Sequence, residues 1–287
     1  MKFNICYMGP EHLFHLRRDF FLVLKYALED LGHDVILSGP SLDTQRFNLI
    51  VGAYFLPSEQ IAKIAAAGVK FAHVNTEVIS NDMLNFNPDK VDFLGAYLPS
   101  MKQGGFVWDV IMDNMAEYDR YGVNAQFLRW GWHPKMQDIE HKPEKDLDFY
   151  FFGMISQRRR ALLQALAAAG LRGAADHSCP YFVRNSNIGR AKVQLNLIQE
   201  DKYTHVNSFR ICYLANNACC ILSENEKDPA NYLKYADVVD PKELVARVQD
   251  CVAGDRWRQR GEKALADFRE YDMRETMAAL LDRSFTA

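Results

Sequence analysis

The chain contains no apolar run approaching the roughly 20 residues that cross a bilayer. Its N-terminus carries one lysine and a short apolar run, with no cleavage-site pattern behind it. Together these absences predict a cytoplasmic protein. The six cysteines (Cys6, Cys179, Cys212, Cys219, Cys220 and Cys251) contain no CxxC and no paired metal spacing. They read as buried free thiols in a reducing compartment. The eight histidines form no close cluster with cysteine or aspartate, which argues against structural zinc. G-x-G-x-x-G, the P-loop pattern and the G-x-S-x-G nucleophile turn are all missing. A net charge of −3 supplies no global basic field, so nucleic acid is not an expected partner.

What remains is ordinary globular material with a repeated sentence in it. The 287 residues are 48% apolar and 25% charged, and the length suits two domains. KFNICYMG runs into the helical pattern FHLRRDFFLVLKYALEDLGH, and half a chain later DFYFFGM runs into SQRRRALLQALAAAGLRG. Strands alternating with helices predict an α/β protein with two Rossmann-like parallel-sheet domains facing across a cleft. In such sheets ligands bind at the carboxyl ends of the strands. The expected domains are 1–140 and 141–270, with a helical tail at 271–287. The charged, proline-containing stretch from His133 to Asp148 reads as the linker. VDFLGAYLP reads as a short strand, WDVIMDNMAEYDRYG as a helix, IGRAKV as a helix and LNLI as a strand.

Two segments can carry chemistry. In GMISQRRR, Gly153 ends a strand and Arg158, Arg159 and Arg160 open a helix. Helix N-terminal amides favour an anion such as a diphosphate, and consecutive arginines fan so that one or two face it. A solvated basic helix start fits the same residues. In LNLIQEDKYTHVNSFRICYLANNACCILSE, a polar loop with Tyr203, Thr204 and His205 leads to Asn207 or Ser208 as N-cap. Arg210 then lies in the first helical turn, against the dipole, which is a local cost unless an anion arrives. It is the favoured phosphate ligand, with an ion pair to Glu200 or Asp201 as the alternative. His205 is placed to assist, and Glu224, closing the strand ACCILSE, completes the binding set.

The order of these elements resembles the C-terminal half of GT-B glycosyltransferases, similar to the spore-maturation-type and family 1 and 4 groups. Trp108-Asp109 followed by Asn114 is similar to their WD(Y/x)S-x-x-N element, and FLRWGWHP looks like their strand end before the second domain. The likeness covers roughly residues 105–270. It implies a nucleotide-diphospho-sugar donor held mainly by the later domain, through Gly153, an arginine among Arg158 to Arg160, and Arg210. It implies no separate cofactor and no bound metal. The acceptor, a glycan, a lipid-linked or a small molecule, would approach from the earlier domain. One departure stands out: the two glutamates that family 4 members carry eight positions apart, one of them a ribose ligand, align with Thr204 and Cys212. Neither is a carboxylate.

An inverting transfer needs a base from the earlier domain. Glu77, Asp109 and His15 are the candidates, and each also reads as a plain helix-start, capping or solvated residue. Tyr54, Phe55, Phe106, Trp108, Trp130 and Trp132 could form an acceptor platform or pack against helices. The last helix is implied to cross back onto the earlier domain. Trp257 and the nearby arginines offer a weak peripheral membrane contact. The expected function is metal-independent transfer of a sugar to an acceptor hydroxyl. The rivals are a nucleotide-sugar epimerase on the same scaffold and a non-catalytic two-lobed binding or partner protein.

Overall fold

The computed structural model describes residues 1–85 and 91–286. The chain forms two compact units, Met1–Trp130 with Met273–Ala287, and Gly131–Asp272. The first unit holds β1 (Lys2–Tyr7), β2 (Asp34–Ser38), β3 (Phe47–Val51), β4 (Phe71–Asn75), the short hairpin β5 (Ile79–Ser80) and β6 (Met83–Leu84), β7 (Val107–Asp109) and β8 (Ala125–Phe127). Six of these make a parallel sheet in the order β2-β1-β3-β4-β7-β8. The near-continuous apolar run of β1 is that of a parallel strand covered on both faces.

Helices α1 (Glu11–Leu16), α2 (Arg18–Asp30), α3 (Ser58–Ala66), α4 (Leu98–Gln103) and α5 (Asn114–Tyr121) belong to the same unit. Along α2, Phe20, Phe21, Leu24, Ala27 and Leu28 form the buried stripe. VDFLGAYLP is not a strand. Asp92 accepts a hydrogen bond from the Gly95 amide (2.8 Å) and starts a π-helical turn, Phe93–Tyr97, that runs into α4. Nor is WDVIMDNMAEYDRYG wholly helical, because Val107–Asp109 pairs with β4 and β8 and the helix begins at Asn114.

The second unit repeats the scheme. Strands β9 (Leu147–Phe152), β10 (Gly173–Asp176), β11 (Ala191–Asn196), β12 (Cys220–Ser223) and β13 (Asp237–Val238) form a parallel sheet ordered β10-β9-β11-β12-β13. Around it lie α6 (Gln157–Ala168), α7 (Tyr181–Arg190), α8 (Ser208–Asn216), α9 (Leu244–Val252) and α10 (Arg256–Phe268). The helix expected at IGRAKV ends at Arg190. Ala191 to Asn196 is instead the central strand, paired on both sides, where β-branched and apolar residues outweigh local helical preference.

The stretch His133 to Asp148 lies within this second unit. Asn216 Oδ1 accepts from the His133 amide (2.9 Å), and Asn217 Nδ2 donates to the Met136 carbonyl (2.9 Å). Its charges and prolines mark a surface strap tied down by two asparagines. Trp257 is buried in the core of this unit, with Lys145 Nζ over its ring at 5.4 Å, so it is not an exposed membrane anchor. Among the described residues no helix is long and apolar enough to cross a membrane.

The last helix, α11 (Met273–Thr286), belongs to the first unit. It buries Met277 and Leu280, and Phe285 meets Phe47 and Phe106 edge-on at 5.1 and 5.2 Å. Trp108 Nε1 donates to Ser284 Oγ at 2.8 Å. Ser284→Ala leaves that buried indole N–H without its acceptor and should cost about 1–3 kcal/mol. A urea titration reads this as a lower midpoint at constant slope. An unchanged midpoint would show that the bond contributes nothing to stability.

Candidate functional site

The carboxyl ends of β9, β11 and β12 converge on two buried arginines. Arg210 enters from the first turn of α8, whose N-cap Asn207 accepts the Arg210 amide through Oδ1 (3.1 Å). Its Nη2 donates to the Phe152 carbonyl at the end of β9 (2.8 Å) and its Nη1 to Asn196 Oδ1 at the end of β11 (2.7 Å). Its Nε has no hydrogen-bond partner among the described residues. Arg159 enters from α6, capped by Ser156. Its Nε and Nη2 donate to the Leu197 carbonyl (3.0 and 2.5 Å) and its Nη1 to the Met154 carbonyl (2.8 Å).

Both guanidiniums rest on one ring. Arg159 Cζ is 5.0 Å from the Phe151 centroid and Arg210 Cζ 5.2 Å, and Arg210 also lies 5.1 Å from the Phe152 centroid. Burial pushes Arg210 down to about 9, and repulsion from Arg159 adds to the shift. Burial takes Arg159 down to about 10. Both remain cations at neutral pH. Their shared counter-charge is Glu226, whose carboxyl burial raises to about 7 against the pull of Asn196 and Arg210. Asn196 joins the two signs: its Oδ1 accepts from Arg210 and its Nδ2 donates to Glu226 Oε1 (2.5 Å) and Ser223 Oγ (2.8 Å). The site therefore holds more positive than negative charge, in a buried setting where charges interact strongly. An anion is its natural complement.

The sequence-predicted residues are partly brought together here. Gly153 lies beside Arg210: a Cβ at this position would sit 2.7 Å from Arg210 Nη2, and its φ of +130° suits glycine alone. Arg158 turns away. Its Nη1 and Nη2 clasp the Glu224 carboxylate (2.8 and 2.5 Å), and Glu224 Oε2 also accepts the Ile198 amide (2.6 Å). Arg158 and Glu224 thus satisfy one another, while Arg159 turns toward Arg210. Ser208 is buried as the first residue of α8. His205 sits in the loop that bridges to Lys227, one residue after Glu226. Sequence reasoning missed Asn196, Glu226 and Phe151. The signals were an asparagine closing an apolar strand and a second glutamate two residues after the expected one.

In the first unit, the carboxyl ends of β1, β3 and β4 carry a second polar group. Arg17 Nη1 donates to Tyr54 Oη (2.7 Å) and Thr76 Oγ1 (3.2 Å), and its Nη2 to Glu77 Oε1 (3.1 Å). Tyr54 Oη also donates to Glu77 Oε1 (2.9 Å). Glu77 is therefore a fixed carboxylate at a strand end, as a base must be. His15 is exposed on α1 and joins none of these bonds.

Asp109 is enclosed and cannot meet an acceptor. It is fully buried; Asn75 Nδ2 (2.7 Å), Asn114 Nδ2 (2.8 Å) and Tyr118 Oη (2.7 Å) donate to Oδ2, and the Ile111 amide (2.7 Å) to Oδ1. Burial still raises it to about 7. The same two asparagine amides donate to the Glu77 carbonyl (2.7 and 2.9 Å). The WD-and-Asn spacing thus builds a cage that positions the loop bearing Glu77. Phe106 and Trp108 stack on each other in the core beneath Phe285 and form no acceptor platform.

Gly153→Ala forces Arg210 off the Phe152 carbonyl and should weaken anion binding at least about tenfold, since a charge-assisted hydrogen bond is worth about 1.5–3 kcal/mol. Isothermal titration with pyrophosphate measures this. Unchanged affinity would show that Arg210 does not depend on this close approach.

No protein-family model and no curated protein sequence matches the chain. Solved structures do. An alpha-glucosyltransferase in complex with UDP and a 13-mer DNA containing a central A:G mismatch superposes with a TM-score of 0.67 at 7% identity, over 99% of both chains. A glycosyltransferase involved in avilamycin A biosynthesis gives 0.61 at 11% identity, over 98% of this chain and 96% of the other. Sucrose-phosphate synthase from Thermosynechococcus elongatus gives 0.55 at 10% identity, over 100% and 99%. Identities this low speak to architecture, not to substrate. With two parallel α/β sheets of six and five strands, the chain has the GT-B fold of these glycosyltransferases.

Proposed function

We propose that the protein transfers a sugar from a nucleotide-diphosphate donor to an acceptor hydroxyl without a bound metal. The observation that carries this reading is the buried Arg159–Arg210 pair at the strand ends, with Glu226 as its shared counter-charge. Breaking a glycosyl–phosphate bond leaves negative charge on the departing diphosphate. Two preorganised guanidiniums and the amides opening α6 and α8 stabilise that charge as it builds. The UDP bound in a structure of the same fold supports a nucleotide as the leaving group. On the acceptor side, Glu77, held by Arg17 and Tyr54, would take the hydroxyl proton. The enclosed Asp109 is withdrawn from that role.

A thermal-shift panel of UDP, GDP, TDP, ADP and CMP tests the donor. One nucleoside diphosphate should raise the melting temperature, because a ligand well above its dissociation constant stabilises the folded state. Arg210→Ala, shown to be folded by circular dichroism, should abolish that shift along with slow donor hydrolysis. A folded Arg210→Ala protein that binds and hydrolyses donor as the parent does would overturn the reading.

The pH dependence has a definite sign. Below about 7 Glu226 takes a proton and loses its charge, while both arginines keep theirs. Anion affinity should therefore rise as pH falls from 8 to 6, by roughly three- to tenfold for one charge removed at short range. Glu226→Gln should hold the higher affinity across the whole range, which separates this effect from titration of the ligand. A parallel pH profile in the variant would refute the assignment.

A further inference from the structure

We propose that Asp176, at the carboxyl end of β10, holds the ribose hydroxyls of the nucleotide whose diphosphate occupies the arginine site. This deepens the donor reading and rests on it.

Position is the first argument. The Gly153 amide donates to the Asp176 carbonyl at 2.9 Å, and Asp176 pairs with Phe152. The carboxylate thus leaves the sheet one strand over from Arg210, and neighbouring strands are only about 4.8 Å apart. In dinucleotide-binding doubly wound sheets the pyrophosphate sits over the turn after the first strand. An acidic residue roughly 20 positions later, closing the next strand, takes the ribose hydroxyls. Gly153 and Asp176 reproduce that relation within one sheet. Helix α8 offers no substitute, since its sequence SFRICYLAN has no acidic residue and Cys212 is fully buried.

The chemistry is the second argument. Tyr150 Oη (2.7 Å) and Asn187 Nδ2 (3.0 Å) both donate to one oxygen, Oδ2. They fix the carboxylate from beneath. Burial and the bond to Asp176 push the Tyr150 phenol above its ordinary range, so it stays a donor. The Cys179 thiol, a weak donor, also hydrogen-bonds to this carboxylate. Among the described residues no N–H or hydroxyl donates to Oδ1, and Asp176 is partly exposed. A carboxylate has about four lone-pair sites, so beyond Tyr150, Asn187 and the weak thiol donor it keeps acceptor capacity that suits a donor pair such as a vicinal diol.

The surroundings are the third argument. Helix α7, which follows β10, opens on Tyr181 and Phe182, 42% and 62% exposed. Exposed aromatics beside a ribose site are platforms for a base, because every base has a stackable face. His177 Nδ1 accepts the Ile155 amide (3.1 Å), which ties the loop after β9 to the loop after β10. The two subsites therefore share one framework.

Isothermal titration separates the two claims. The probes are UDP, GDP and ADP, the 2′,3′-dideoxy form of whichever binds, and inorganic pyrophosphate. The parent protein should bind the ribonucleotide about 10- to 100-fold more tightly than its dideoxy form, the range for hydrogen bonds to a charged acceptor. Asp176→Asn keeps an inward oxygen for Tyr150 and Asn187. It should lower ribonucleotide affinity to the dideoxy level and leave pyrophosphate affinity undiminished. Phe182→Ala should weaken both nucleotides and spare pyrophosphate. Equal binding of ribo and dideoxy forms by the parent overturns the ribose assignment, whether or not the variants fold. Loss of pyrophosphate binding in a folded Asp176→Asn overturns it too. If Arg210→Ala abolishes nucleotide binding while Asp176→Asn changes nothing, the ribose assignment fails and the donor reading survives. If neither nucleotides nor pyrophosphate bind the parent, both fail together.

Discussion

Two like charges held against one phenylalanine ring are the constraint around which the second unit is arranged. A buried guanidinium is costly unless it is hydrogen-bonded and paired, and a second one nearby adds repulsion. The chain offsets this with carbonyl oxygens. Phe152, Met154 and Leu197 turn their carbonyls inward at strand ends, where no further strand residue competes for them. Asn196 supplies another oxygen and passes the field on to Glu226. The ring face adds a cation–π contribution to each cation. Even so, Arg210 and Arg159 are held below their usual range and Glu226 above its own. Groups desolvated and set beside a like charge in this way cluster at functional sites.

Charge is handled differently in the first unit. Asp109 is sealed, and its carboxylate is used to orient amides, so its influence is exerted through Asn75 and Asn114 on the Glu77 loop. Glu77 keeps a cationic neighbour and a partly exposed position. One carboxylate orients its neighbours, and the other is held at a strand end by Arg17 and Tyr54. The difference follows from depth in the sheet: Asp109 lies on β7, with strands on both sides, whereas Glu77 follows the end of β4.

Much of this was legible in the sequence. The repeated strand–turn–helix pattern announced both sheets, because parallel strands buried on two faces read as apolar runs and their helices as amphipathic stripes. The position of Arg210 was legible: a polar loop after a strand predicts the N-cap at Asn207 and so sets the arginine in the first helical turn, at the strand ends. Failures came where local pattern and tertiary demand diverged. The first of three arginines looked as suitable as the second, and only the fold pairs Arg158 with Glu224 and turns Arg159 inward. Asp109 looked catalytic because its depth has no sequence signature. Asn196 and Glu226 were passed over because their role exists only where three strand ends meet. The strap from His133 was mistaken for a tether because the asparagines that hold it lie about 80 residues on.

The first unit is assembled from both ends of the chain, with Met273 to the C-terminus completing a body begun at Met1. The middle of the polypeptide is thus an insertion within a discontinuous domain. During synthesis, which runs from the N-terminus, the unit that starts later is the one whose residues are all available first. Until the last helix is available, the Trp108 indole of the earlier sheet lacks its Ser284 acceptor. Shortening the C-terminus would therefore damage the N-terminal half of the molecule.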